Sequence, residues 1–266
     1  MPDLINVILL GVIEGITEFL PISSTGHLLI AERWLGHRSD LFNIGIQAGA
    51  ILAITLIYWQ QIWQLLTGWK DPQTRAYLLK LVGAFVITSA LGVVALKLGF
   101  KLPTSITPVA WALVIGGVWM IAAEKLAERR PESTRVTWTV AILVGIAQIV
   151  AGIFPGTSRS ASTIFAAMLF GTNNRSAATQ FAFLVGIPTM FAATAVELLK
   201  IFTSGGVAQV DWTGFGVGFL TSMVVAFIAV KWLLRYIRTH RFTVFAVYRI
   251  ALGAILLVLP LLATSH

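Results

Sequence analysis

Cysteine is absent from the 266 residues, which excludes disulfide and thiol chemistry. Charge is scarce: Asp, Glu, Lys and Arg make up 11% of the chain, against about 25% in a soluble domain. No basic stripe interleaved with aromatics appears, so the +8 formal charge gives no nucleic-acid footprint. Also missing are the glycine-rich phosphate loop of soluble nucleotide-binding proteins, zinc-ligand clusters and the GxSxG elbow. The opening MPDLINVILL has neither a basic n-region nor a small-residue cleavage site, so it reads as the start of an apolar element rather than a removable signal. What remains is apolar, with 57% hydrophobic residues and a mean hydropathy of +0.86. These values describe an all-α, polytopic membrane protein forming one integral membrane domain over residues 1–266.

A bilayer core of about 30 Å needs roughly 20 apolar residues as helix. Six such spans are expected, at about 41–59, 78–97, 107–124, 178–201, 210–230 and 242–262. Two further apolar stretches, about 4–31 and 137–170, are interrupted by Pro and small polar residues: PISSTG from Pro21 and PGTSRS from Pro155. Pro cannot continue a helix interior, and Ser or Thr is a preferred N-cap. Each stretch therefore reads as helix, break, helix. A break at membrane depth is tolerated only inside protein or beside a wet cavity, so both are read as re-entrant hairpins. With that topology, twelve Lys and Arg residues from Lys70 to Arg241 fall in one set of loops. Five (Arg33, Arg38, Lys97, Lys101 and Lys200) fall in the other. The richer set is expected to be cytoplasmic, so the first hairpin opens outward.

The two broken stretches align without gaps at an offset of 134: Gly11 with Gly145, Glu14 with Gln148, Pro21 with Pro155, Ser24 with Ser158. Repeat 1 covers about 1–130 and repeat 2 about 135–266. Each holds one hairpin and three crossings. Three is odd, so the second copy must be inserted upside down, an inverted-topology repeat whose polar site lies where the broken helices meet.

The residues at the breaks carry the chemistry. Glu14 and Glu18 lie about 6 Å apart along a helix axis. In a soluble helix such a pair would be a solvated face, but their neighbours Val12, Ile13, Ile16, Phe19 and Leu20 are apolar. A charge at membrane depth costs at least roughly 2.5–3.5 kcal/mol, so one carboxyl takes a proton or both find a cation. Arg159 and a divalent metal held by Glu14 and Glu18 are the candidate partners. Ser23, Ser24, Thr25 and Gly26 open the second half of hairpin one. Gly156, Thr157, Ser158 and Ser160 stand around the break of hairpin two. Hydroxyls at a helix N-terminus, with Arg159 as permanent charge, make a cradle for phosphoryl oxygens. A single hydroxyl could equally be a helix–helix contact, but two matched clusters point to a site. His27, three residues after Ser24, has the spacing of an acid or base serving that hydroxyl. Arg249, in FAVYRIALG, is expected to form a structural ion pair, with Glu14, Glu18, Glu197 or the substrate as candidates. Gln47 and Gln180 are candidate cavity residues.

With these residues in view, the chain resembles the undecaprenyl-diphosphate phosphatases of the bacitracin-resistance family. The first family motif stands as EGITEFLPISSTGH over 14–27 and the second, PGXSRSXXT, as PGTSRSAST over 155–163. The likeness extends to FNIGIQAGAILA and FAVYR. It implies hydrolysis of undecaprenyl diphosphate to the monophosphate and inorganic phosphate, which recycles the cell-wall lipid carrier. It also implies a divalent-cation cofactor, Mg2+ or Ca2+, and a bacterial plasma-membrane location with the site on the outer side. By motif position the catalytic residues are Glu18, Ser24, His27 and Arg159. Ser24 would attack the terminal phosphorus with His27 or Glu18 handling its proton, or an activated water would attack instead. The partners are the polyprenyl diphosphate and membrane lipids, with the oligomeric state open, a homodimer included. The rival class is a carrier that moves a polyprenyl phosphate across the bilayer through the same site.

Overall fold

The computed structural model describes residues 2–98, 106–203 and 211–263, and among these every regular element is a helix. There are eleven: α1 (Pro2–Thr17), α2 (Ser24–Leu35), α3 (Asp40–Ile57), α4 (Trp59–Thr67), α5 (Pro72–Lys97), α6 (Ile106–Glu128), α7 (Trp138–Ile153), α8 (Arg159–Phe170), α9 (Arg175–Thr203), α10 (Trp212–Tyr236) and α11 (Thr243–Ala263). Five of them, α3, α5, α6, α9 and α10, are long and apolar enough to cross a bilayer, and α11 is apolar along 243–258. The chain is a multi-pass membrane protein. Lys101 of the loop count and residue 210, where a span was expected to begin, lie outside the described residues.

Helix starts follow from caps written into the sequence. Ser39, Thr137 and Asp211 accept from the N–H of Phe42, Val140 and Gly214 at the heads of α3, α7 and α10. Asp71 accepts from Thr74 N–H at 2.8 Å before α5. That bond holds its carboxyl below the usual carboxylate range. One element was not expected: α4, WQQIWQLLT, which α3 joins through Tyr58. It is too short to span and exposes Trp59 and Trp63 while burying Leu65, as suits an interfacial helix.

Both expected breaks are present. The chain leaves α1 after Thr17 and α7 after Ile153, turns, and restarts at Ser24 and at Arg159. Each restart is capped by a serine at positive φ, Ser23 (74°) and Ser158 (69°), the only such non-glycine residues among those described. Each serine hydroxyl accepts from the N–H three residues on, Gly26 at 3.4 Å and Ala161 at 3.3 Å. The caps correspond at an offset of 135, so the ungapped alignment slips by one residue at the turn.

The helices pack as α1 on α10, α7 on α5, α3 on α10 and α9, and α6 on α11, with α8 against α7, α9 and α6. Small residues let backbones approach. A Cβ on Gly11 would lie 2.9 Å from Gly218 O and one on Gly145 2.8 Å from Ala84 O. Gly117 meets Ala246 O and Gly253 meets Ala110 O, each at 2.7 Å. The same contacts thus recur in the two halves. At the end away from the hairpin tips, buried Glu124 of α6 accepts from Arg175 Nε (2.8 Å) and from Phe242 N–H (3.0 Å), clamping α9 and the start of α11.

The tightest approach to a neighbouring backbone is at Gly49, where a Cβ would stand 2.3 Å from Phe219 O, whereas Gly216 has nothing within 4 Å. Gly49→Ala is expected to lower the thermal midpoint in detergent, by an overpacking cost of about 1–3 kcal/mol. Gly216→Ala should leave it unchanged or raise it by helix propensity. Equal midpoints for the two variants would contradict the α3–α10 packing.

Candidate active site

The two breaks face each other across a polar cavity of about 280 Å³, lined by Glu18, Ser23, Ser24, Thr25, Gly156, Ser158 and Arg159 together with Gln47, Thr88, Gln148 and Thr189. Its centre is Glu18. This residue lies one position past the end of α1, still on the helical path because its N–H bonds to Glu14 O at 2.9 Å. Glu18 Oε2 accepts from Ser24 Oγ at 2.5 Å, and Oε1 accepts from the Arg159 guanidinium. One carboxylate, 8% exposed, therefore joins the hydroxyl of hairpin one to the arginine of hairpin two. Arg159 retains further N–H donors toward the cavity that it lines. The amino-terminal ends of α2 and α8 add partial positive charge on the same wall. The arrangement combines an anion-binding face with a hydroxyl whose proton already points at a carboxylate.

The other expected residues are distributed around this core. Ser160 fastens the hairpins together: its hydroxyl donates to Leu20 O at 2.9 Å and lies 3.1 Å from Ser158 Oγ. Gly26 serves the α2 cap and is buried against Val109. Thr157 faces away from the polar cavity into an apolar groove. Glu14 is buried, at 1% exposure, one turn behind Glu18 and outside the cavity wall, and its Oε2 has no hydrogen-bond partner among the described residues.

His27 does not meet Ser24. Its Nδ1 is 2.7 Å from Ser23 O and its Nε2 is 2.7 Å from Tyr248 Oη. A carbonyl only accepts, so Nδ1 carries the proton, and in the neutral ring Nε2 accepts from the tyrosine. The rings stack at 5.6 Å between centroids. His27 thus ties the α2 cap to α11.

Arg249 differs from the expected ion pair. Glu197 is paired with Lys200 instead. Arg249 is 0% exposed and gives its guanidinium to backbone carbonyls: Gly156 O at 2.9 Å, Ala112 O at 3.1 Å and Pro21 O at 3.4 Å. Gln47 lines the cavity, whereas Gln180 borders a separate polar cleft with Gln60, Gln61 and Gln64. Sequence reasoning passed over Tyr248, Thr88 and Thr189. The repeat alignment had put Gln148 opposite Glu14, which was the one signal available for it.

A family model described as Bacitracin resistance protein BacA matches residues 7–255. An undecaprenyl-diphosphatase of Rhizobium johnstonii is 68% identical over 255 residues, 96% of each chain. One of Rhizobium etli is 67% identical over the same length and coverage. One of Xanthomonas campestris pv. campestris is 60% identical over 257 residues, 97% of this chain and 98% of its own. On this coverage and identity, the chain belongs to the BacA bacitracin-resistance protein family.

Proposed function

We propose that this chain is a membrane phosphatase that hydrolyses undecaprenyl diphosphate to undecaprenyl phosphate and inorganic phosphate. The observation that carries the reading is Glu18, bonded at once to Ser24 and to Arg159 in a polar cavity. The activity in the names of relatives 60–68% identical over nearly the whole chain agrees with it. The two halves form an inverted repeat, each with one re-entrant hairpin and three crossings. The twelve-to-five split of basic loop residues puts the richer loops in the cytoplasm and the cavity toward the outer side of the plasma membrane.

In this reading Arg159 and the two helix amino-termini bind the terminal phosphoryl oxygens. Ser24 Oγ attacks phosphorus as Glu18 takes its proton. The bond from phosphorus to the bridging oxygen breaks, and Glu18 returns that proton to the departing prenyl phosphate. Water then attacks the Ser24 phosphoester. Most of the rate comes from positioning and charge stabilisation. Glu14 and Glu18 have the hard oxygen donors that a divalent cation takes alongside substrate phosphates, and Glu14 Oε2 is free to donate. Mg2+ or Ca2+ held there would supply neutralising charge to the diphosphate. The prenyl tail lies in the apolar groove of about 590 Å³ between α6, α7 and α8, lined by Trp111, Ile115, Trp119, Ile146 and Phe154. Phe154 and Thr157 of the groove flank Pro155 and Gly156 of the polar cavity in sequence.

Phosphate release from undecaprenyl diphosphate by the purified protein in detergent is the primary test, because a carrier releases none. Ser24→Ala, Glu18→Gln and Arg159→Ala should each lower kcat by about 10²-fold or more. Near-normal release by Ser24→Ala would remove the serine nucleophile.

His27 is read as a positioning group rather than the base. His27→Ala is expected to slow turnover by roughly 10-fold and Tyr248→Phe by less, in line with one lost hydrogen bond each. The pH–rate profile should keep its shape in both. A basic limb that vanishes in His27→Ala would make His27 the base.

Filling the groove should act on chain length. Ile146→Trp is expected to raise KM several-fold for undecaprenyl diphosphate while leaving farnesyl diphosphate unaffected. Equal effects on both substrates would place the tail elsewhere.

A further inference from the structure

The cavity wall holds a buried amide that the steps above do not use. Gln148 of α7 is 3% exposed. It borders both the Glu18–Ser24–Arg159 cavity and a small void behind it that Glu18 and Arg159 also line. Its neighbours decide which way its amide points. The Thr88 hydroxyl of α5 is 2.9 Å from Ala84 O and 2.9 Å from Gly145 O. Carbonyls only accept, so the Thr88 proton is committed to them. Thr189 Oγ1 of α9 likewise donates to Val185 O at 2.7 Å. Both hydroxyls can only accept from Gln148, and Nε2 reaches them at 3.0 and 3.4 Å. A flipped amide would set its oxygen against two hydroxyls with no proton left to give. The oxygen is therefore held on the other side, and Oε1 has no hydrogen-bond partner among the described residues.

A buried amide oxygen without a donor is left desolvated and uncompensated. This one sits in a site read as binding a polyanion. Ionised phosphoryl oxygens have no proton to offer it, and the donors of Arg159 go to Glu18 and, in the reading above, to those oxygens. The species that every hydrolysis must bring into this cavity and that carries two donors is water. We propose that Gln148 Oε1, locked by Thr88 and Thr189, orients the water that attacks phosphorus; this rests on the phosphatase reading. One water proton is held by Oε1 and the other faces Glu18. As the water oxygen bonds to phosphorus and the bond from phosphorus to Ser24 Oγ breaks, Glu18 takes its proton and delivers it to Ser24 Oγ. The second proton leaves with inorganic phosphate. An amide suits this position better than a carboxylate because it cannot itself take the proton or add a second negative charge beside the phosphate. The other half of the molecule makes that contrast: at the offset of 134 the equivalents of Gln148 and Thr88 are Glu14 and Ser222, and their Oε2 and Oγ carry no such lock.

The test separates the water step from phosphate binding. The purified protein in detergent is assayed for isotopic oxygen exchange between water and inorganic phosphate, and for competitive inhibition of turnover by inorganic phosphate. Gln148→Leu is expected to lower the exchange rate and kcat by about 10- to 100-fold, with KM and the phosphate inhibition constant near those of the parent. Thr88→Val, which removes half of the lock, should lower both rates by about 3- to 10-fold, and Thr88→Ser, which keeps the hydroxyl, should restore them. The threonine pair carries the test by itself if the leucine variant does not fold. Undiminished exchange in Gln148→Leu overturns the proposal. So does a phosphate inhibition constant that rises in step with the loss of kcat, which would make Gln148 a phosphate ligand or a purely structural group. If the parent protein releases no phosphate from undecaprenyl diphosphate, it is the phosphatase reading that fails.

Discussion

Two helices are broken inside the protein, where Leu20, Pro21 and Gly156 are buried, and the carbonyls freed there take side-chain donors. This is the constraint on which the rest of the architecture depends. Arg249 meets it from α11: one guanidinium reaches Pro21 O in the first break, Gly156 O in the second and Ala112 O on α6. Ser160 completes the arrangement by donating to Leu20 O. An arginine with 0% exposure and no carboxylate paired with it among the described residues would be prohibitive in hydrocarbon. Here three carbonyl dipoles converge on it. The tips of the hairpins are thereby held to a common reference, and the groups mounted on them, Ser24 and Arg159, inherit that precision. Gly116 belongs to the same device, since a Cβ there would lie 2.2 Å from Arg249 Nη2.

The broken helices also explain why the site can be charged at all. In an unbroken span Glu18 would lack donors. At the break it receives a hydroxyl from one hairpin and a guanidinium from the other. An anion entering the cavity meets helix amino-termini rather than helix flanks. The strain of two serines at positive φ, Ser23 and Ser158, is of the order of 1–2 kcal/mol each and is offset by the caps those serines form. Function and fold draw on the same few turns.

The two halves share backbone contacts but not chemistry. Gly11 and Gly145 pack alike against α10 and α5, and Gly117 and Gly253 pack reciprocally. The polar residues that correspond by sequence offset differ: Glu14 corresponds to Gln148 at 134, and Ser24 to Arg159 at the offset of 135 set by the caps. The first break thus supplies a hydroxyl and an acid, and the second a cation, with the neutral amide of Gln148 beside it.

Much of this was legible in the chain itself. Spans over 41–59, 107–124 and 178–201 became α3, α6 and α9, because hydropathy over membrane length is a one-dimensional signal and lipid admits few alternatives to helix. The breaks at Pro21 and Pro155 were equally local, since Pro cannot continue a helix, and Glu18, Ser24 and Arg159, which meet there, were conspicuous as polar groups among apolar residues. Only the tertiary structure decided who bonds to whom. His27 lies one turn from Ser24 in sequence yet turns to Tyr248, 221 residues away. Arg249 takes carbonyls rather than a carboxylate, and the amide of Gln148 is oriented by threonines from two other helices. Hydrogen bonds are directional and short, so their partners depend on how helices distant in sequence are rotated against one another, and periodicity along a single chain carries no record of that.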